Sequence, residues 1–304
     1  MEQNIDMSVN LGGIRMANPV TVASGTFGYG QEYARLIDLS RLGAVTVKGI
    51  RLEAWPGNPL PRHAEVFGGM VNAIGLQGPG VEGFIRDDMP FLRKAGTPVI
   101  VNIWGTSIEE YAEVARRFSE VEGIAGLELN ISCPNVKEGG HAFGHDPSTV
   151  SRLVAAVRRA TPLPIMPKLA PNVPDITVFV RAAQEAGADA LAMINTLPAM
   201  VIDIERQVPV LANKTGGLSG RGIHPVAVKL VWDAASVATV PILAMGGIFE
   251  PEDAIEFLLA GAKAVAVGTA TFIDPSTALR IVDGIRAYMI RHGYASMADF
   301  KRVG

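Results

Sequence analysis

The chain has 304 residues, 48% of them apolar and 19% charged, and its 27 Lys and Arg against 30 Asp and Glu leave a net charge of -3. That balance supplies no basic field for nucleic-acid phosphates and argues against a nucleic-acid binder. Mean hydropathy is +0.26, yet no apolar run approaches the ~18 residues of a membrane helix, so the apolar content belongs in a core. Residues Met1 to Asn10 carry Glu2 and Asp6 and lack the basic and apolar regions of a signal peptide, which predicts a cytoplasmic location. The single cysteine, Cys133, excludes a disulfide within the chain and a cysteine-rich metal or iron-sulfur site. Redox chemistry would have to be borrowed from a cofactor or a partner.

Taken in chain order, short runs rich in Val, Ile and Ala alternate with helical patterns, the mark of parallel βα units with strands buried on both faces. Strands are predicted at Pro19 to Ala23, Ala44 to Lys48, Val99 to Ile103, Leu127 to Asn130, Ile165 to Lys168, Ala190 to Ile194, Ile242 to Ala244 and Ala264 to Val267. Helices are predicted at Ser107 to Val121, Pro147 to Ala160, Pro174 to Ala186, Pro225 to Val237, Pro251 to Leu259 and Ser276 to Arg291. Ser107 is a ready N-cap, and Asp146-Pro147 and Glu250-Pro251 place proline in a first turn, where its missing N–H costs nothing. No GxGxxG follows the first strand, so the pattern predicts a single-domain (β/α)8 TIM barrel over residues 1–304 rather than a doubly wound sheet. Two stretches, Ile50 to Gly80 and Thr196 to Gly222, are too long for simple connections and read as lids or binding loops.

Reactive residues of such a barrel stand at the C-terminal ends of its strands. Those positions hold Lys48-Gly49, Asn102, Asn130, Lys168 and Asn195-Thr196. Buried amides and amines cost a few kcal/mol unless paired, so five on one rim favour a site. The last two strands run into Met245-Gly246-Gly247-Ile248 and Val267-Gly268-Thr269-Ala270, where glycine backbone N–H groups suit a phosphorylated ligand. The run Gly216-Gly217-Leu218-Ser219-Gly220 either closes over the same group or marks only a tight turn. Cys133 lies just beyond strand four; a free cysteine is most often a small buried hydrophobe, but this place suits a general base. His141 and His145 are spaced by four among glycines, with no third ligand in view, so no metal is expected.

The strings Asn72-Ala73-Ile74-Gly75-Leu76-Gln77, Asn130-Ile131-Ser132-Cys133-Pro134-Asn135-Val136-Lys137 and Ala244-Met245-Gly246-Gly247-Ile248 resemble the class 1 dihydroorotate dehydrogenases. The segments NAIGLQGPG and GGHAFGHDP are most similar to the class 1B catalytic subunit, and the membrane-associating extension and serine base of class 2 are absent. The resemblance implies oxidation of dihydroorotate to orotate in pyrimidine synthesis, with hydride passing to FMN and Cys133 removing the C5 proton. It implies FMN contacts from Ser24, Lys48, Gly49, Asn102, Asn130, Lys168, Ile194, Gly220, Gly246, Gly247, Gly268 and Thr269. Substrate contacts would come from Lys48, Asn72, Ala73, Ile74, Gly75, Leu76, Asn130, Asn195 and Thr196. It further implies an electron-transfer subunit carrying FAD and an iron-sulfur cluster, in a heterotetramer with two of each subunit, that delivers electrons to NAD. The rivals are a class 1A-like homodimer using fumarate, a related flavin-dependent pyrimidine oxidoreductase, and a non-catalytic barrel that binds a phosphorylated ligand.

Overall fold

The computed structural model describes residues 5–131, 137–138 and 141–304. Eight buried parallel strands carry the fold: β1 (Val20–Val22), β2 (Val45–Ile50), β3 (Val99–Ile103), β4 (Ile124–Leu129), β5 (Ile165–Pro167), β6 (Leu191–Met193), β7 (Ile242–Ala244) and β8 (Ala264–Val267). They form two four-stranded sheets, β5-β4-β3-β2 and β6-β7-β8-β1: β2 to β5 and β6 to β8 follow sequence order, and the last strand, β8, lies beside the first, β1. An isolated parallel bridge between Lys168 and Ala192 joins β5 to β6. On the other side the Thr21 hydroxyl donates to the Ala44 carbonyl at 2.8 Å and lies 3.2 Å from the Thr46 hydroxyl, tying β1 to β2. The molecule is thus an α/β protein of parallel strands. No helix among the described residues is long and apolar enough to cross a membrane.

Helices cover the outer faces: α1 (Gly80–Asp87), α2 (Met89–Leu92), α3 (Ile108–Ser119), α4 (Pro147–Ala160), α5 (Ile176–Glu185), α6 (His224–Ala235), α7 (Pro251–Ala260) and α8 (Thr277–His292). Their inner stripes follow the helical period: α3 buries Tyr111, Val114, Ala115 and Phe118, and α4 buries Val150, Leu153, Val154 and Val157. Their starts are capped as the sequence suggests. Ser107 accepts the Glu110 N–H at 3.2 Å, Asp146 accepts that of Thr149 at 2.9 Å, and Glu250 with Asp253 closes a capping box.

Strand bounds apart, the departures from the sequence expectations lie outside the parallel strands. Residues 50–80 and 196–222 read from the sequence as lids or binding loops, and much of both is regular. His63–Val66 and Gly69–Asn72 make a hairpin that continues through Thr215–Ser219 to Leu197–Met200 as one antiparallel sheet. The run at 216–219 is therefore a strand of this cross-loop sheet and not a tight turn. Its glycines serve close backbone approach: a Cβ on Gly217 would lie 1.9 Å from Thr196 Oγ1, and one on Gly216 would lie 2.5 Å from the Asn72 carbonyl. Helices α1 and α2 and an N-terminal hairpin, Val9–Leu11 with Ile14–Met16, also lie outside the predicted elements.

Candidate functional site

Because the eight buried strands β1 to β8 run parallel, their end residues share one edge of the molecule. Ser24 follows β1 and is buried. Lys48 and Gly49 fall where the pairing of β2 with β3 shifts register between Val47 and Ile50. Such a bulge re-aims a side chain, and half-buried Lys48 sits at it. Burial pushes the Lys48 ammonium below its ordinary value, and the Arg62 guanidinium pushes the same way. Two cations thus act on this end of the rim.

On β3, fully buried Asn102 donates from Nδ2 to Glu128 Oε1 of β4 at 2.5 Å. Lys168, one residue past β5, brings its Nζ to 4.0 Å from the same carboxylate oxygen. Asn130, just past β4, has its carbonyl held by the buried Tyr111 hydroxyl at 2.6 Å, while its Oδ1 receives Asn195 Nδ2 at 3.4 Å. Asn195 also accepts the Thr196 N–H at 2.9 Å, and buried Ile194 donates its N–H to the Met245 carbonyl at 3.1 Å. The strand ends are thereby joined through side chains as well as through the sheet.

The glycine positions have different local reasons. Gly246 and Gly247 follow β7 with φ of 139° and 69°, a region that glycine enters without strain. His224 Nδ1 lies 2.9 Å from the Gly246 carbonyl, fixing that loop to the start of α6. Thr269, after Gly268 and β8, donates its hydroxyl to Ser219 Oγ at 2.8 Å. A Cβ on Gly247 would come within 2.9 Å of the Gly220 carbonyl, so the cross-loop sheet ends directly against the β7 loop.

Asn72 closes the strand Gly69–Asn72, and its Nδ2 donates to the Gly217 carbonyl at 3.4 Å. The following Ala73, Ile74, Gly75 and Leu76 are pinned from outside. Ala73 donates its N–H to the Arg62 carbonyl at 2.7 Å, and Asn58 donates to the Ala73 and Ile74 carbonyls at 2.9 Å and 3.1 Å. Gly75 and Leu76 both have positive φ, 77° and 57°. Cys133, the predicted base, lies outside the described residues.

The group implied by the resemblance, FMN, combines a planar hydrogen-bonding ring with a phosphate. The N–H groups of Gly246, Gly247 and Gly268 have no protein acceptor among the described residues, which leaves them available to an anion. Asn102 Oδ1 and Glu128 Oε2 are buried acceptors without a hydrogen-bond partner among the described residues. The residues present fit such a group.

Glu128, Tyr111, Arg62 and His224 were not singled out by the sequence reading. A detectable signal existed only for Glu128, a carboxylate set inside the apolar run Ile124–Leu129. The other three act through contacts that join residues distant in sequence.

A family model for dihydroorotate dehydrogenase matches residues 6–289. The chain is 53% identical over 294 residues to a protein of Pelobacter propionicus named dihydroorotate dehydrogenase B (NAD(+)), catalytic subunit, with 97% of each chain covered. It is 51% identical over 297 residues to proteins of the same name from Citrifermentans bemidjiense and Geobacter sp. strain M21, covering 98% of this chain and 97% of each of those.

Proposed function

Because the chain belongs to the dihydroorotate dehydrogenase family, we propose that it is the catalytic subunit of an NAD-linked dihydroorotate dehydrogenase, oxidising dihydroorotate to orotate in pyrimidine biosynthesis. The observation that carries this reading is the convergence of Lys48, Asn102, Asn130, Lys168 and Asn195 on one rim, with Asn102 and Lys168 meeting at Glu128. The two parallel sheets are the halves of a closed (β/α)8 barrel in a single domain, a reading supported by the Lys168–Ala192 bridge on one side and the Thr21–Ala44 bond on the other.

FMN, when bound, would supply a hydride acceptor for C6 of dihydroorotate. The chain's own residues do the rest. Cys133 takes the C5 proton as general base. Asn72, Asn130 and Asn195 each offer both donors and an acceptor, which suits a ring edge that alternates carbonyl and N–H. Lys48 balances the substrate carboxylate, and Ala73, Ile74, Gly75, Leu76 and Thr196 complete its surroundings. Lys168 supplies a fixed cation where negative charge grows on the flavin, an interaction that costs no reorganisation during the reaction. Ser24, Gly49, Asn102, Ile194 and Gly220 would line the flavin, while Gly246, Gly247, Gly268 and Thr269 would hold its phosphate.

Electrons leave through a partner subunit that carries FAD and an iron-sulfur cluster, in a cytoplasmic heterotetramer with two of each subunit. One cysteine in the whole chain supports this division, since cluster ligation needs several thiolates. The test is an anaerobic titration of the FMN-loaded chain with dihydroorotate, followed by fumarate or NAD. Bleaching with no recovery from either oxidant alone is the expected result. Recovery by fumarate without a partner would favour the class 1A-like homodimer, and a bound flavin that never bleaches would refute the substrate assignment.

A further inference from the structure

Among the described residues the buried charged side chains are Asp88, Glu128 and Lys168. Two of these three face one another across β4 and the end of β5. Burying a carboxylate costs several kcal/mol, recovered only with good geometry and filled lone pairs. Glu128 is fully buried in a strand whose other residues are apolar or glycine, and its lone pairs are only partly filled. Oε1 receives the Asn102 amide at 2.5 Å and lies 4.0 Å from Lys168 Nζ, while Oε2 has no hydrogen-bond partner among the described residues. Stability alone gives no reason for this placement, because an apolar side chain of similar volume would pack there without the desolvation cost.

What the carboxylate does impose is orientation and charge. It accepts hydrogen bonds and donates none, so Asn102 must present Nδ2 to it and carry Oδ1 on the opposite side. That Oδ1 is itself a buried acceptor without a partner among the described residues, lying 2.7 Å from where a Cβ on Gly49 would stand. The negative charge also opposes the field of the Lys168 ammonium in a region where water does not screen it.

We infer that Glu128 is a positioning residue of the redox site: it fixes the Asn102 amide and offsets the Lys168 charge, and so sets how readily the flavin at this rim takes up electrons. This rests on the flavin-enzyme reading above. Removing the carboxylate charge takes away its opposing field, favours the more negative reduced ring and raises the reduction potential.

The experiment compares wild type, Glu128→Gln, Lys168→Gln and the double variant, each loaded with FMN. Potentials come from equilibration with a reference dye, and flavin affinity from fluorescence. Glu128→Gln is expected to raise the equilibrium constant for two-electron reduction by about tenfold or more, which is about 30 mV. Lys168→Gln is expected to lower it, and the double variant to return toward wild type. A structural role alone would weaken flavin binding or lower the melting temperature at an unchanged potential, and that result overturns the inference. Glu128→Gln removes one half of a buried charge pair; if it does not fold, the double variant carries the test, because it leaves neither charge of that pair behind. Its potential must then exceed that of Lys168→Gln, and equality overturns the inference. A chain that takes up no flavin sinks this inference together with the functional reading. Potentials that shift as stated in a protein that dihydroorotate never bleaches would sink only the substrate assignment.

Discussion

Replacing Tyr111 by Phe tests whether the strand-end carbonyl of Asn130 depends on a buried hydroxyl. Tyr111 is fully buried on the inner face of α3, and its hydroxyl donates to the Asn130 carbonyl at 2.6 Å. The substitution removes one oxygen and keeps the ring, so packing is preserved and the carbonyl loses this donor where water does not reach. Leaving a buried acceptor unsatisfied costs about 1–3 kcal/mol, and the middle of that range is roughly 30-fold in the folding equilibrium. Tyr33 is the internal control: its hydroxyl donates to the Thr26 carbonyl at 3.0 Å, but both residues are only half-buried and water can take over. Tyr33→Phe should therefore cost less than about 1 kcal/mol. Urea unfolding followed by circular dichroism, compared at constant m-value, measures both. Equal midpoint shifts for the two variants would refute the idea that burial sets the cost.

Cys133→Ala should slow flavin reduction by dihydroorotate about 10²-fold or more while FMN stays bound; near-normal stopped-flow rates would remove Cys133 from the base role. Lys48→Met should weaken orotate binding at least about tenfold, read from the perturbed flavin spectrum, yet raise the melting temperature of the ligand-free protein at pH 7. The sign follows from burial and then Arg62, which hold the Lys48 value down in the folded state. Between that lowered value and 10.5 the unfolded chain binds more protons than the folded one, so wild-type stability gains on the variant as pH rises through the window. Equal melting temperatures at pH 7 would remove Lys48 as a source of strain. Gly217→Ala places a Cβ 1.9 Å from Thr196 Oγ1; orotate affinity should fall several-fold with flavin uptake unchanged, since overpacking of this kind costs about 1–3 kcal/mol. Unchanged orotate affinity would mean that the cross-loop sheet does not shape the substrate side.

Parallel strands buried on both faces are unbroken apolar runs, and such runs are legible without knowing their partners. Val99–Ile103, Ile242–Ala244 and Ala264–Val267 have the bounds read from the sequence. Strand β4 begins at Ile124 rather than Leu127, because a register irregularity after Val99 lets Ile124 pair with it. The cross-loop sheet was not legible for the opposite reason. Its strands are four or five residues long and half-exposed, and Gly217 pairs with Asn72 from the far side of the sequence. Nothing local specifies that pairing, whereas the N-terminal hairpin, with buried-exposed-buried alternation on both sides of Gly12-Gly13, does carry a local pattern.

The site divides along the same line. A rule that puts chemistry at the C-terminal ends of parallel strands turns strand assignments into candidates, so Lys48, Asn102, Asn130, Lys168 and Asn195 could be named from sequence alone. The rule locates residues and says nothing of what orients them. Glu128 sits one residue short of the end of β4, inside the stretch that the rule treats as core, yet it is the group on which Asn102 and Lys168 converge. A charge within a buried strand carries a desolvation cost that an apolar residue would avoid. Its place in Leu127-Glu128-Leu129 is therefore the sequence feature that ties the inner wall of the strands to the chemistry at their ends.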